Sequence, residues 1–130
     1  MKTSCYITYK TKKHLQFAQW APVGNGLAYV FENNIYYAAR VSDIAKPRQL
    51  TKDGEIGIIF NGIPDWIYEE EVLGSGSAIW FSPDGKHLAF ATFNDDHVMD
   101  YHYIIYGNSS GIEFQYPAIV SLKYPKVGTK

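Results

Sequence analysis

The chain has 130 residues, of which 46% are hydrophobic and 16% aromatic, and its formal net charge is −1. The length predicts one domain or part of one, and the composition is typical of a packed β-rich protein rather than of a disordered chain. Lys and Arg are scattered, which excludes the basic footprint of a nucleic-acid-binding protein and the basic face of a membrane-surface helix.

The N-terminal residues and the cysteine content narrow the class of protein further. Residues 3–9 alternate as a strand and lack the apolar core of a signal peptide, so we expect the chain to begin inside a domain. The single cysteine, Cys5, excludes an internal disulfide and a cysteine-based zinc site, and its simplest role is that of a small buried side chain. No apolar run approaches the roughly 18–20 residues that span a bilayer.

Short strands joined by tight turns are predicted for the first third of the chain. Each has the alternating or continuously apolar pattern of a strand, and Pro, Gly and Asn residues between them indicate turns. The predicted strands are residues 15–20, 27–31, 35–39 and about 48–51. Two further strands are predicted at residues 101–106 and 116–122.

The second half of the chain repeats the first. Residues 81–90 align with residues 20–29, and Pro83 lies 61 residues after Pro22. Recurring four-stranded units with an aromatic and glycine signature predict a β-propeller, and a blade needs only about 40–50 residues. We therefore predict a propeller fragment with blade-like repeats at about 15–60 and 77–125 and an insertion at about 53–75.

The predicted insertion contains three consecutive carboxylates, Glu69, Glu70 and Glu71. A strand would point neighbouring side chains to opposite faces, so two of these carboxylates converge on one ligand only if the backbone coils into a helical turn. Acidic residues in the first turn of a helix are favoured by the helix dipole. A solvated helix start is therefore the simpler interpretation of this stretch when it is taken alone.

Other polar and aromatic residues have simpler interpretations than a ligand site. Asn108 begins a glycosylation sequon in a predicted loop, where it is a modification site only if the chain is secreted. A polar segment that we expect to be a loop matches no zinc or calcium spacing, so no metal or cofactor is predicted: Asp95, Asp96, His97, Asp100 and His102. The tryptophans are expected in the core of the blades and of the insertion: Trp20, Trp66 and Trp80.

Several segments of the chain resemble the dipeptidyl peptidase IV family. Residues 60–72 are similar to the Asn-Gly, Asp-Trp and Tyr-Glu-Glu-Glu segment of that family, and residues 80–85, 93–95 and 116–128 match in the same order. The resemblance runs from about residue 15 to the end of the chain. It implies an all-β fold, a partial β-propeller of about two four-stranded antiparallel blades out of eight, with a short helical insertion that carries the Glu triplet.

The resemblance also implies a function. Members of the family carry an eight-bladed propeller followed by an α/β-hydrolase domain, and they remove dipeptides from peptide N-termini. The last two glutamates of the triplet hold the substrate's α-ammonium, which assigns this role to Glu70 and Glu71. Two partly desolvated carboxylates attract a cation strongly and would reject a blocked N-terminus. The matching positions around them are supporting residues: Asp65, Trp66, Tyr68 and Glu69.

The sequence departs from the family in its catalytic machinery. It contains no Gly-x-Ser-x-Gly nucleophile elbow, so no catalytic residue and no hydrolase domain is predicted within it. One hypothesis is a substrate-recognition segment of a serine exopeptidase that itself lacks the triad. The alternative is a non-catalytic interaction module, as in the channel-accessory relatives or a truncated copy. The channel-accessory relatives keep the acidic triplet. Residues 31–37 of this chain resemble the corresponding strand of those relatives.

The partners and the compartment of the parent protein are likewise implied by the resemblance alone. The expected partners are a peptide with a free N-terminus, the remaining blades, the α/β-hydrolase domain and a second copy of the parent, with no nucleic acid among them. The expected location is the outer face of the plasma membrane or the secreted fraction. No signal or transmembrane segment is predicted in this chain.

Overall fold

The structure, a computed structural model, describes residues 14–107 and 115–129. The chain forms two compact units, the first ending at Asp96 and the second beginning at His97. Three sequence-based predictions lie outside the described residues: the strand at residues 3–9, the buried Cys5 and the sequon at Asn108.

Four strands build the first sheet, and they follow one another in space as they do in sequence. All neighbouring strands are antiparallel. The second strand is apolar on both faces and its first four residues are buried, as expected for a strand between two neighbours. The strands predicted for this part of the chain are therefore present: β1 (Phe17–Trp20), β2 (Leu27–Phe31), β3 (Asn34–Ala38) and β4 (Arg48–Gln49). A 3₁₀ helix at Val41–Ala45 connects β3 to β4.

The turn between β2 and β3 is built from two residues in the left-handed region of the backbone, Glu32 at φ 49° and Asn33 at φ 59°. This is the conformation of a two-residue type I′ hairpin loop, whose twist matches that of the flanking strands. Asn adopts it readily, whereas a left-handed Glu is costly. Other contacts must therefore hold the turn, and the side chain of Asn33 supplies them.

The side chain of Asn33 is 1% exposed and fully hydrogen-bonded. Its Nδ2 donates to the carbonyl oxygens of Glu55 and Ile59, each at 2.8 Å. Its Oδ1 accepts from Gln16 Nε2, and its backbone N–H donates to Gln16 Oε1 at 2.7 Å. One buried amide therefore joins the hairpin turn to the residue before β1 and to the segment that leads into the second half of the unit.

The second half of the first unit contains two pairs of short strands. Its strands are β5 (Ile59–Asn61), β6 (Ile79–Phe81), β7 (Leu88–Phe90) and β8 (Thr92–Asn94). β6 pairs with β7 in the register of β1 with β2: Phe81 faces Leu88 as Trp20 faces Leu27, 61 residues earlier. β5 pairs with β8 and lies inside the segment predicted as an insertion, where the sequence analysis places no strand.

A small apolar core holds the first unit together. Its members come from β2, β3, β6 and the residue that follows Gly62, and side chains from β1, β5 and β7 pack against it: Val30, Ile35, Ile63 and Ile79, with Phe17, Phe60 and Leu88 around them. Gly62 has φ +73°, and a Cβ there would lie within 2.9 Å of side-chain carbons of Ile79 and Ile35. Only glycine therefore fits where the chain leaves β5.

Backbone hydrogen bonds close the excursion between β5 and β6. The N–H of Ala78 donates to the carbonyl oxygen of Gly62 at 2.9 Å. The N–H of Gly62 donates to Ala91 at 2.9 Å, and the N–H of Ala91 donates to Ala78 at 3.0 Å. Residues 63–77 therefore form a loop that begins and ends at one point of the first unit.

The second unit contains a two-stranded antiparallel ladder. β9 (Asp100–Ile105) pairs with β10 (Ala118–Lys123), where the sequence predicts strands. Lys123 Nζ donates to the carbonyl oxygen of Val98 at 2.9 Å and lies 3.5 Å from Asp100 Oδ1. His102 lies in the strand predicted at residues 101–106, whereas Asp100 is the first residue of β9 and pairs with Lys123, so the prediction of a loop is wrong at Asp100. In the same ladder His102 is opposite Ser121, to which its Nδ1 is hydrogen-bonded at 2.7 Å.

Within the described ranges, helical structure is confined to the 3₁₀ helix and one short helix at the acidic stretch, and the sheets are all antiparallel. The predicted all-β fold with a short helical insertion is confirmed. The prediction that the tryptophans lie in the core is wrong, because Trp20, Trp66 and Trp80 are 56%, 51% and 48% exposed. In β6 the reason is alternation: Ile79 points into the core, so Trp80 points to the opposite face.

We expect Asn33→Gly to destabilise the first unit by about 2–4 kcal/mol, because it leaves buried carbonyl and amide groups without partners while keeping the left-handed turn free of strain. Urea unfolding followed by circular dichroism measures the loss. The matched control is Glu32→Gly in the same turn, which should change stability by less than about 1 kcal/mol. Equal effects of the two substitutions would contradict the role of the buried amide.

Burial raises the pKa of Tyr29 above its ordinary value of 10.0, and the neighbouring Tyr36 raises it further. The two rings stack with their centroids 5.4 Å apart. Since the folded-state pKa exceeds the unfolded one, the neutral phenol stabilises the fold below pH 10, and this contribution is lost as the pH rises through the folded pKa. We expect the stability of the wild type to fall more steeply above pH 10 than that of Tyr29→Phe in urea unfolding. Parallel pH profiles would contradict the assignment.

Candidate functional site

The acidic stretch is reached through a buried segment that follows β5. Residues 61–65 are all buried, and Asp65, the last of them, is 3% exposed. Asn61 at the start is hydrogen-bonded by its side chain to Asp53 and Thr92 and by its backbone N–H to Asn33. The base of the loop is therefore tied to both halves of the first unit.

A helix carries the three glutamates. Helical backbone starts at Trp66, and residues Tyr68–Leu73 have the wider spacing of a π-helix. Short π-helical turns are rare in proteins overall, but those that occur are often at functional sites. The predicted helical turn is thus present, with Glu69, Glu70 and Glu71 on successive positions. Successive residues of an α-helix lie about 100° apart and those of the wider π-helix somewhat less, so neighbouring carboxylates diverge less here than they would on a strand.

Both ends of this acidic helix (residues 66–73) have recognisable caps. Asp65 Oδ1 accepts from the N–H of Tyr68 at 2.8 Å, and the carbonyl oxygen of Asp65 accepts from the N–H of Glu69 at 2.9 Å. These are the bonds of a helix N-cap. At the other end Gly74 takes up the left-handed conformation at φ 58° and ψ 27°, which is the usual end of a helix.

One aromatic contact ties the acidic helix to the sheet. The ring of Tyr68 lies on the ring of Phe93 in β8, with centroids 4.9 Å apart and planes inclined at 54°. Tilted aromatic pairs at this distance are favourable beyond the area they bury. Sequence reasoning did not assign Phe93 to the site, although it lies in a segment that matches the family pattern.

The three carboxylates do not have the same surroundings. All three residues are exposed, and the carboxylate of Glu69 lies close to Gly76, where a Cβ would be 3.3 Å from its Oε1. Over residues 14–107 and 115–129, the structure gives the carboxylates of Glu69, Glu70 and Glu71 no ion pair and no hydrogen bond. Within these residues the charges of Glu70 and Glu71 are therefore not neutralised by a partner. The desolvation expected for this pair would have to come from a bound peptide or from further chain, and it stays a prediction.

Other features of the described chain do not assemble a second site from the predicted residues. Among the residues that the structure covers, no three His, Cys, Asp or Glu side chains group as metal ligands would. No helix in the same residues is long and apolar enough to cross a membrane. An open cavity of about 730 Å³ lies in the second unit, and none of the predicted site residues lines it.

The chain is similar in sequence to several known proteins. The sequence profile of the family described as "Dipeptidyl peptidase IV (DPP IV) N-terminal region" matches residues 2–130. The chain is 51% identical over 129 residues to venom dipeptidyl peptidase 4 of Apis mellifera, which covers 99% of this chain and 17% of that protein. It is 47% identical over 116 residues to prolyl endopeptidase FAP of Homo sapiens, covering 89% of this chain and 14% of that protein.

A solved structure is also similar. The crystal structure of Porphyromonas gingivalis dipeptidyl peptidase 4 superposes with a TM-score of 0.71 at 30% identity, over 94% of this chain and 16% of that one. The chain thus spans about a sixth of the length of the proteins that it matches. Because the family profile extends over nearly every residue, the chain belongs to the dipeptidyl peptidase IV N-terminal region family.

Proposed function

We propose that this chain anchors the free N-terminus of a peptide through Glu70 and Glu71, as the substrate-recognition part of a dipeptidyl-peptidase-like serine exopeptidase. The single observation that carries the proposal is that two adjacent glutamates, exposed and without an ion pair within the described residues, lie on a helix whose base is fixed to the sheet. Two adjacent like charges repel one another, and a bound cation relieves that repulsion. A peptide α-ammonium is a compact cation with donors for both carboxylates.

The proposal assigns the ligand to the last two glutamates of the acidic triplet. The carboxylate of Glu69 lies beside Gly76, so a ligand would have less room there than at Glu70 and Glu71. An ammonium about 4 Å from a carboxylate gains about 1 kcal/mol in bulk water and several times more where the site is shielded from water. Discrimination against an acetylated N-terminus would follow, because acetylation removes the charge that the pair attracts.

The peptidase part of the proposal rests on the family and on the names of its members. Relatives of this chain are named dipeptidyl peptidase 4 and prolyl endopeptidase. In the parent protein the nucleophile, the remaining blades and an α/β-hydrolase domain would come from other parts of the polypeptide, and an anchor at a fixed distance from the nucleophile would count off two residues. We extend the proposal to a homodimeric parent that is secreted or faces outward from the plasma membrane, and a venom relative supports the secreted form.

Removing either charge of the pair should weaken peptide binding. We expect Glu70→Gln and Glu71→Gln each to lower the affinity of the chain for glycyl-prolinamide about fivefold, the effect of losing one charge contact in water. Backbone amide shifts of residues 68–73 in an NMR titration measure the affinity. Glu69→Gln is the matched control and should change it less, because its carboxylate lies against Gly76.

N-acetyl-glycyl-prolinamide tests the specificity of the same site. The acetylated peptide should leave the amide shifts of the acidic helix unchanged. Added salt should weaken the binding of the peptide with a free amine, because exposed charges are screened. Equal binding of the free and acetylated peptides by the wild type would remove Glu70 and Glu71 from the proposed role.

Release of a dipeptide from a Gly-Pro reporter tests the peptidase assignment. We expect no release by the chain alone, because its sequence has no nucleophile elbow. The polypeptide encoded by the complete gene should release the dipeptide, and Glu70→Gln in it should lower kcat/KM by about tenfold or more. Reporter cleavage by the chain alone, or an unchanged kcat/KM in the variant, would contradict the proposal.

A further inference from the structure

We propose that Asp65 is a positioning residue, whose buried carboxylate sets the direction in which the acidic helix presents Glu70 and Glu71. This inference rests on the proposed function, because it concerns how the same anchor is built. Asp65 itself is too deeply buried to contact a peptide, with 3% of its surface exposed. Any effect that it has on binding therefore passes through other residues.

The two hydrogen bonds of Asp65 reach the turn that bears the anchor. Its Oδ1 accepts from the N–H of Tyr68, and its carbonyl oxygen accepts from the N–H of Glu69, the residue before Glu70. The free N–H groups of a first helical turn have no partners within the helix, so an N-cap decides where the helix starts. If the helix started one residue later, the directions of the side chains that follow would change. Glu70 and Glu71 would then point elsewhere.

Asp65 can transmit a direction because its own position is fixed. Ile63, two residues earlier, lies in the apolar core, and Gly62 is hydrogen-bonded to Ala78 at 2.9 Å where the loop closes. The cap therefore connects the acidic helix to the core by the shortest route along the chain. The contact of Tyr68 with Phe93 holds the same turn from its side-chain face.

Three substitutions separate the hydrogen bond of Asp65 from its charge. Asp65→Asn keeps an acceptor of the right length and removes the charge, Asp65→Glu keeps the charge on a side chain that caps poorly, and Asp65→Ala removes both. If Asp65 acts by positioning, the affinity of the Asp65→Asn variant for glycyl-prolinamide should be within about twofold of that of the wild type. Glu and Ala should bind about fivefold more weakly, the factor for a typical lost cap.

Hydrogen exchange of the backbone amides gives a second readout. In Asp65→Glu and Asp65→Ala, the amides of Tyr68 and Glu69 should exchange faster than in the wild type, while those of Val30 and Ile35 in the core should not change. A purely structural role would accelerate all four. If Asp65→Ala does not fold, the comparison of Asp65→Asn with Asp65→Glu still decides between the bond and the charge.

Each outcome is decisive. Binding by Asp65→Asn that is as weak as that of Asp65→Ala would overturn the proposal, because the charge would then matter and not the cap. Wild-type affinity in Asp65→Glu and Asp65→Ala would overturn it as well. If Glu70→Gln weakens binding and no Asp65 variant does, only the role of Asp65 fails. If the wild-type chain binds the free and acetylated peptides equally, the proposed function fails and the role of Asp65 fails with it.

Discussion

The buried amide of Asn33 is the interaction on which the first unit depends. It occupies a left-handed turn and bonds at the same time to Gln16, Glu55 and Ile59. Without these bonds the left-handed conformation of two non-glycine residues in the turn would destabilise the fold, and no other interaction of this side chain would offset that cost. With them, the β2–β3 hairpin is joined to the segment that becomes β5, and β5 in turn leads to the acidic helix.

The loop that carries the acidic helix is closed at its base and capped at both ends, so a charged surface element is held by buried contacts. Hydrogen bonds at Gly62 and Ala78 close it, Asp65 starts the helix, and Gly74 ends it. A binding group on a loop is useful only if its position is reproducible, and these contacts meet that requirement. The carboxylates themselves stay exposed, which leaves their charge available to a ligand.

Local patterns in the sequence predicted much of this arrangement. Alternation predicted the strands of the first sheet, and the 61-residue repeat appears in the structure as an identical register of the hairpins β1–β2 and β6–β7. The triplet of acids predicted a helical turn. The sequence did not predict β5, because its pairing is distant. β5 has only three residues, and Asn61 in it pairs with Thr92 of β8, which is 31 residues further along the chain.

The sequence by itself determined the fold class, the family and the residues that carry charge, because these follow from periodicity, turn chemistry and a specific motif. Tertiary structure decided which face each side chain occupies. Alternation with Ile79 turned Trp80 outward, and the return of the loop brought Gly76 beside the carboxylate of Glu69. The physical reason is common to both: exposure depends on what the rest of the chain brings against a position, and residues adjacent in sequence do not encode that.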